Sequence, residues 1–215
     1  MKLYVGVLSL FSAKARIACS EKGLAPELVY VGWSRAQRYL PHHPDVVALN
    51  PKAQVPVLVD GDVVVYDSTQ IFEYLEDRVP QPPLYPNGAA ERARCRRLEA
   101  HADEVWFPCV WDLIEQRFYA DGTGSEAGVT AATKALGALY RELDKELLTR
   151  EYLCGRFSVA DIGMFIQVHT AGVLGAGVPE GCDAVAGWCR RMAQRGSVAP
   201  VLAEMLKAAV ELQSA

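Results

Sequence analysis

No two of the six cysteines, at positions 19, 95, 109, 154, 182 and 189, form a C-x-x-C pair, and none has a second cysteine or a histidine at zinc-ligand spacing. They read as buried small hydrophobes, and no metal site is expected. A thiol-disulfide oxidoreductase would want a cysteine in the turn after the first strand, where this chain has Ser9 and Ser12. Positive charge is not in excess either. The formal net charge is −4, with 8 basic against 9 acidic side chains in residues 1–80 and 14 against 17 thereafter, so neither half offers nucleic acid a basic surface. No apolar run approaches the ~18 residues that cross a bilayer. The first segment is too short and too strand-like for a signal peptide, so the expected location is cytoplasmic, without membrane contact.

What is present is a soluble globular composition, 51% hydrophobic and 22% charged, over 215 residues, enough for one large domain or two small ones. Composition shifts near residue 80. Before it, apolar runs at Leu3–Val7, Glu27–Val31, Val55–Val59 and Val63–Tyr66 read as strands. The last two flank Asp60-Gly61-Asp62, a hairpin signal. A helical pattern runs from Phe11 through Ala15, Ala18 and Cys19 and is ended by Gly23, and others fill 45–49 and 68–78, so the order is β-α-β-α-β-β-α, a small α/β layer with a mixed sheet. Four prolines between Val79 and Gly88 suit a linker. The expected organisation is an α/β domain over 1–79, a linker over 80–89 and an all-helical domain over 90–215.

In the helical part, Leu98, Ala102, Val105, Cys109 and Leu113 make one stripe and Leu136, Leu139, Leu143 and Leu147 another, with Gly122-Thr123-Gly124 as a break between them. Ser158-Val159-Ala160-Asp161 is a capping box with Asp in place of Glu, a folding signal for a buried helix. Helices over 184–194 and 198–212 close the chain. Arg92, Arg94, Arg96 and Arg97 alternate with Glu91 and Glu99 as a solvated helix face.

Four places could hold a ligand. Ser9 sits in the turn from the first strand to the first helix and Ser12 in or just before that helix's first turn, where amides and the helix dipole favour a thiolate, carboxylate or phosphate. The alternative is that both serines only cap the helix. In Gln54-Val55-Pro56-Val57, a proline at a strand start leaves Val55 N–H and C=O free for an extended peptide ligand if its bond is cis. At Asp67-Ser68, an anion for an ammonium group stands next to a hydroxyl and first-turn amides for a carboxylate, with Ser68 as the expected N-cap. His42-His43 reads as a surface loop able to meet a ligand carboxylate rather than a metal.

Taken in order, these motifs resemble the cytosolic glutathione transferase superfamily along the whole chain. The resemblance rests on S-x-F-x4-R-I-A-x2-E-K-G (Ser9, Phe11, Arg16, Ile17, Ala18, Glu21, Lys22, Gly23), N-P-x2-Q-V-P (Asn50, Pro51, Gln54, Val55, Pro56), Asp67-Ser68 before Ile71, Tyr74, Leu75 and Glu76, and S-x-A-D (Ser158, Ala160, Asp161). It implies a thioredoxin-like domain followed by an all-helical domain, a homodimer, and glutathione as co-substrate. The first stretch is similar to the serine-type tau and zeta classes, which implies that Ser9 is the catalytic hydroxyl, with Ser12 left as the cap and as the alternative hydroxyl. Val55 would meet the cysteinyl backbone, with Pro56 cis. Asp67 and Ser68 would hold the γ-glutamyl end, and Gln54 and His42 the glycyl end.

The reaction so implied is attack of the glutathione thiolate on a small hydrophobic electrophile lodged against Phe11, Trp106, Cys109, Val110 and Leu113. The last four equally fit a helix core. Departures from the class patterns keep other outcomes in view. Ser9-Leu10-Phe11 differs from the Ser-Ser-Cys of zeta isomerases, and the cysteine of omega-like relatives is absent, while a β-etherase-type lyase stays open. A non-catalytic ligand-binding or interaction protein of the same fold is the alternative from another class.

Overall fold

The computed structural model describes residues 1–40, 42–119 and 124–213, and its internal contacts group the chain into two units, Met1–Pro83 with Arg195–Ala215, and Leu84–Gln194. The closing segment therefore groups with the first unit, whereas the sequence placed everything from residue 90 onward in the second. Among the described residues no helix is long and apolar enough to cross a membrane.

The first unit runs β1 (Lys2–Val5), α1 (Leu10–Glu21), β2 (Glu27–Tyr30), α2 (Pro44–Leu49), β3 (Val57–Asp60), β4 (Val63–Tyr66) and α3 (Ser68–Arg78), the order expected. The four-stranded sheet has the spatial order β2-β1-β3-β4, with β1 parallel to β2 and antiparallel to β3, and β3 antiparallel to β4. The third strand starts at Val57, two residues later than its apolar run suggested, because Pro56 has no N–H for the ladder. Leu3, Val5, Ile17, Leu58, Ile71, Phe72 and Leu75 are sealed from solvent and form the core. At about 1.5–3 kcal/mol for each large side chain removed from water, such burial is the main stabilising contribution here. Gly23 ends α1 with φ +69°, the left-handed C′ position its sequence signalled.

The end of α1 is pinned to the end of α3. Lys22, 4% exposed, gives its ammonium protons to Glu76 at 2.6 Å and to the Val79 and Pro82 carbonyls at 2.7 and 2.8 Å. All three donors of a buried cation are thus satisfied, the condition under which such a charge is tolerated. The proline-rich segment has no regular structure, as expected, yet it is anchored. Its later part belongs to the second unit, where the Leu84 carbonyl accepts from Val159 N–H at 3.0 Å and Arg156 holds the Tyr85 carbonyl.

The second unit is helical: α4 (Ala89–His101), α5 (Phe107–Ile114), α6 (Glu126–Leu147), α7 (Val159–Val173) and α8 (Asp183–Ala193). Between α4 and α5 the helix does not break but widens into a π turn, Ala102–Trp106, and a second π turn, Glu115–Tyr119, follows α5. The cause of the first is Pro108, which has no N–H for the carbonyl four residues back. Phe107 N–H reaches the Ala102 carbonyl instead, the five-residue closure of a π turn. The extra residue rotates the buried face. Val105 is left 40% exposed and Cys109 half-buried, while Trp106 and Val110 turn inward. The expected stripe is corrected to Leu98, Ala102, Trp106, Val110 and Leu113. Of the expected break, Gly122 and Thr123 lie outside the described residues.

Helix α7 is buried along most of its length, and its capping box is the polar centre of this unit. The Asp161 carboxylate accepts from Ser158 N–H at 3.0 Å, Ser158 O–H at 2.9 Å, Leu153 N–H at 2.9 Å and the Trp188 indole N–H at 2.9 Å. Burial lifts its carboxyl to about 6, against the pull of those four donors. The arginine cluster on α4 is more committed than a solvated face. Arg92 and Arg96 stack over the buried Tyr85 ring, and Arg94 binds Glu146 and the Leu153 carbonyl.

The last helix, α9 (Ala199–Gln213), lies on α1 within the first unit. Glu21 forms a two-pronged pair with Arg195 at 2.9 and 2.8 Å and also accepts from Ser197, and Arg16 pairs with Glu204. The Arg16, Glu21 and Lys22 positions of the N-terminal motif are therefore occupied with holding helices together.

Candidate functional site

Strand register brings three of the singled-out segments to one end of the sheet. Tyr4 near the end of β1 pairs with Val57 at the start of β3, and Val57 pairs with Tyr66 at the end of β4. The turn leading to Ser9, the Val55-Pro56 entry to β3 and the Asp67-Ser68 exit from β4 are thus neighbours by topology. Ends of strands feeding helix N-termini are where open α/β sheets bind ligands.

Ser9 is the N-cap of α1, in extended backbone, and its Oγ accepts from Ser12 N–H at 3.1 Å. The cap role given to Ser12 is therefore corrected. Ser12 is fully buried, and its own Oγ accepts from Gly6 N–H at 3.1 Å, bracing the turn from β1. Ser9 stays half-buried, and its hydroxyl proton has no acceptor among the described residues. A hydroxyl that accepts from an amide and keeps its proton to give is suited to an anion at a helix N-terminus.

The β4–α3 junction differs from the sequence reading in one position. Asp67, not Ser68, caps α3, accepting from Thr69 N–H at 3.1 Å. It does so at φ +76°, a backbone state that costs a non-glycine residue roughly 1–3 kcal/mol and clusters at functional sites. Ser68 follows as the first helical residue, 2% exposed, and its Oγ has no hydrogen-bond partner among the described residues. A buried orphan hydroxyl costs about 1–3 kcal/mol unless something arrives to pair with it. Lys52 stands beside this junction, its ammonium 3.3 Å from the second Asp67 oxygen. Sequence reasoning passed over Lys52; its place two residues before Gln54, at the entry to a strand paired with β4, is the signal that could have found it.

The Val55–Pro56 bond is cis. Val55 lies outside the ladder, and neither its N–H nor its C=O has a partner among the described residues. The loop before it is held by Asn50, which donates to the Gln54 carbonyl at 2.7 Å and accepts from Lys52 N–H at 2.9 Å. The Gln54 side chain is exposed, as is His42. His43 is taken up by structure, accepting from Asp45 N–H at 3.2 Å as the cap of α2 and meeting the Tyr4 ring edge-on at 5.6 Å. Among the described residues no three His, Cys, Asp or Glu side chains gather as metal ligands would.

The expected electrophile-lining residues divide. Phe11 is half-buried in the first turn of α1, with the Lys14 ammonium 5.5 Å from its ring centroid. Cys109 is half-buried on α5, its thiol pushed up by burial first and by Asp112 second. Trp106, Val110 and Leu113 lie packed in the interior of the helical unit, Trp106 edge-on to Tyr140 at 5.1 Å. Burial favours the core reading for these three; the π turn carries Trp106 and Val110 inward, whereas Leu113 already lay on the expected buried stripe.

Residues 8–78 match the family model described as glutathione S-transferase, N-terminal domain. Over 177 residues, 80% of this chain, the sequence is 30% identical to glutathione S-transferase Z2 of Arabidopsis thaliana, of which it covers 76%. It is 34% identical over 155 residues, 71% of this chain, to a stringent starvation protein A homolog of Coxiella burnetii, and spans 61% of that relative's length. A theta class glutathione S-transferase from Xanthomonas axonopodis pv. citri, solved with glutathione bound, matches with a TM-score of 0.83 and 26% identity, over 93% of this chain and 95% of that one.

Proposed function

The chain belongs to the cytosolic glutathione transferase superfamily, and we propose that it binds glutathione at the sheet end, ionises its thiol beside Ser9 and transfers the sulfur to a small hydrophobic electrophile. The observation that carries the binding half is Ser68: a hydroxyl sealed from water with no partner among the described residues, next to a strained Asp67. A γ-glutamyl group supplies both complements, its carboxylate accepting from Ser68 and its ammonium meeting Asp67. The open N–H and C=O of Val55 pair with the cysteinyl backbone as one more short strand would. Lys52, Gln54 and His42 are left for the glycyl carboxylate.

Ser9 then has one task. A free thiol titrates near ~8.5, so only a few per cent is thiolate at neutrality, and each tenfold gain in acidity requires ~1.4 kcal/mol of preference for the anion. A charge-assisted hydrogen bond of ~1.5–3 kcal/mol from the Ser9 proton, with the α1 dipole behind it, is sufficient. Serine donates and never becomes the nucleophile. The sulfur forms the new bond to carbon, and the electrophile's leaving group departs or, with an activated alkene, the adjacent carbon takes up a proton.

A second reading is supported by the stringent starvation protein A homologs among the relatives, whose name denotes no transfer reaction. In that case the fold binds a ligand or partner without catalysis. Conjugation rates with a panel of electrophiles, alongside calorimetric glutathione binding in the wild type, Ser9→Ala and Ser12→Ala, separate the two. Transfer requires a turnover that Ser9→Ala lowers by about 10 to 100-fold while binding persists. Binding without turnover on any electrophile favours the second reading, and no binding removes the glutathione assignment.

A further inference from the structure

The six cysteines, too far apart in sequence to form a motif, are not equivalent in the fold. Arg94 of α4 hydrogen-bonds the Leu153 carbonyl, and the Leu153 N–H is held by Asp161 at 2.9 Å. The next residue of each segment is a cysteine. Cys95 on α4 and Cys154 in the turn before α7 are thereby set thiol to thiol, within hydrogen-bonding reach of each other, and both are free. Cys95 has no solvent exposure, whereas Cys154 is half-buried in a turn that Gly155, at φ +79°, and the Cys154–Arg156 bridge reverse on itself. Of the two residues, only Cys154 has solvent exposure and Cys95 is sealed, the arrangement of an attacking and a resolving thiol.

We propose that Cys95 and Cys154 are a redox-active dithiol that hydrogen peroxide converts to an intramolecular disulfide within the helical unit. Cys154 is the attacking thiol. Hydrogen bonding from the Cys95 S–H holds Cys154 below the ordinary thiol value against its own burial, with the Arg94 charge assisting and Asp161 opposing. Ser158 does not add to this, because its single hydroxyl proton goes to Asp161 at 2.9 Å. Cys95 is pushed up by the same shared hydrogen bond and by burial, as suits the thiol that keeps its proton until the second step. Burial pushes Cys19 and Cys189 up to about 12 and raises Cys109 and Cys182 as well.

The chemistry balances in two steps. The Cys154 thiolate attacks one peroxide oxygen; the O–O bond breaks, a sulfenic acid forms, and the departing hydroxide takes up the proton that Cys154 lost, giving water. The Cys95 sulfur then attacks the Cys154 sulfur; the S–O bond breaks, the S–S bond forms, and the Cys95 proton leaves with hydroxide as a second water. Two thiols lose two electrons and two protons, and one peroxide becomes two waters.

The test is a thiol map of the reduced full-length protein before and after stoichiometric hydrogen peroxide. The expected result is loss of two hydrogens, a Cys95–Cys154 cross-linked peptide, and the other four cysteines still open to alkylation after denaturation. Before oxidation, a limiting alkylating reagent at neutral pH should label Cys154 at least about tenfold faster than Cys109 or Cys189. In Cys95→Ala, with folding checked by circular dichroism, Cys154 should stop at a sulfenic acid trappable by a cyclic diketone. The wild-type arms stand whether or not that variant folds. No disulfide, a disulfide to another cysteine, sulfinic acid at Cys154 with Cys95 still alkylated, equal labelling of Cys154 and Cys109, or no trapped sulfenic acid in folded Cys95→Ala overturns the proposal.

Discussion

At the start of α7, Ser158 and Asp161 spend everything they have: the serine hydroxyl and amide both go to the carboxylate, which also takes Leu153 and Trp188. At the starts of α1 and α3 the same residue types hold something back. Ser9 accepts one amide and keeps its proton, and the buried Ser68 hydroxyl has no partner among the described residues. Both arrangements begin from a Ser or Asp at a helix N-terminus, the most ordinary signal in a sequence. A cap whose capacity is filled by the fold is a folding device; one left partly unfilled is a place for a ligand.

That contrast sets how substitutions should divide between stability and binding. The largest effect is expected at Asp161. Asp161→Asn cannot accept with its amide nitrogen and leaves buried donors unpaired, so unfolding in urea should show a loss of at least ~3 kcal/mol. There is a pH signature as well. Because burial lifts the Asp161 carboxyl to about 6 from an ordinary value near ~3.9, the folded chain keeps a proton that the unfolded chain sheds. This contribution is complete below pH ~4 and is lost as pH rises through about 6. Wild-type stability measured relative to Asp161→Asn should therefore decline across that window and level off above it; a flat difference would remove Asp161 as a buried, perturbed hub.

Next comes Ser9→Ala, where kcat/KM for conjugation should fall by about 10 to 100-fold, matching one charge-assisted hydrogen bond, with about 1 kcal/mol of stability lost with the cap. Ser68→Ala should weaken glutathione binding by about tenfold and leave stability unchanged or slightly raised, since an unsatisfied hydroxyl is removed. Calorimetry and thermal unfolding on one preparation check both halves, and a variant that loses stability without losing affinity would make Ser68 a second Asp161. The smallest effect belongs to Lys52→Ala. Its pair with Asp67 is exposed, so stability should move by less than ~0.5 kcal/mol.

Periodicity made the order of elements in the first unit legible, down to the bounds of β4 and α3, because apolar spacing and the Asp60-Gly61 turn act locally. What escaped depended on distant partners or on one-residue shifts. Pro108 was in plain view, yet its π turn moved burial from Val105 and Cys109 to Trp106 and Val110, two of the expected pocket residues. The cap fell to Ser9 rather than Ser12 because a cap is defined by where the helix starts, and Ser12 finds Gly6 only once β1 and α1 are folded together. Asp67 displaced Ser68 as cap through a positive φ that no property of aspartate announces. The Ser158–Asp161 box was legible, but the Trp188 indole that joins it and the Cys95–Cys154 pair draw on residues tens of positions away, beyond any local pattern.

The most direct test is the ionisation of the glutathione sulfur while bound, followed by its ultraviolet thiolate absorbance across pH in wild type and Ser9→Ala. The expected result is a wild-type complex that forms thiolate well below the free thiol's ~8.5, and a Ser9→Ala complex that still binds but titrates near the free value. Bound glutathione that titrates like the free thiol in wild type, or a full thiolate signal that survives Ser9→Ala and disappears in Ser12→Ala, would contradict the assignment of Ser9.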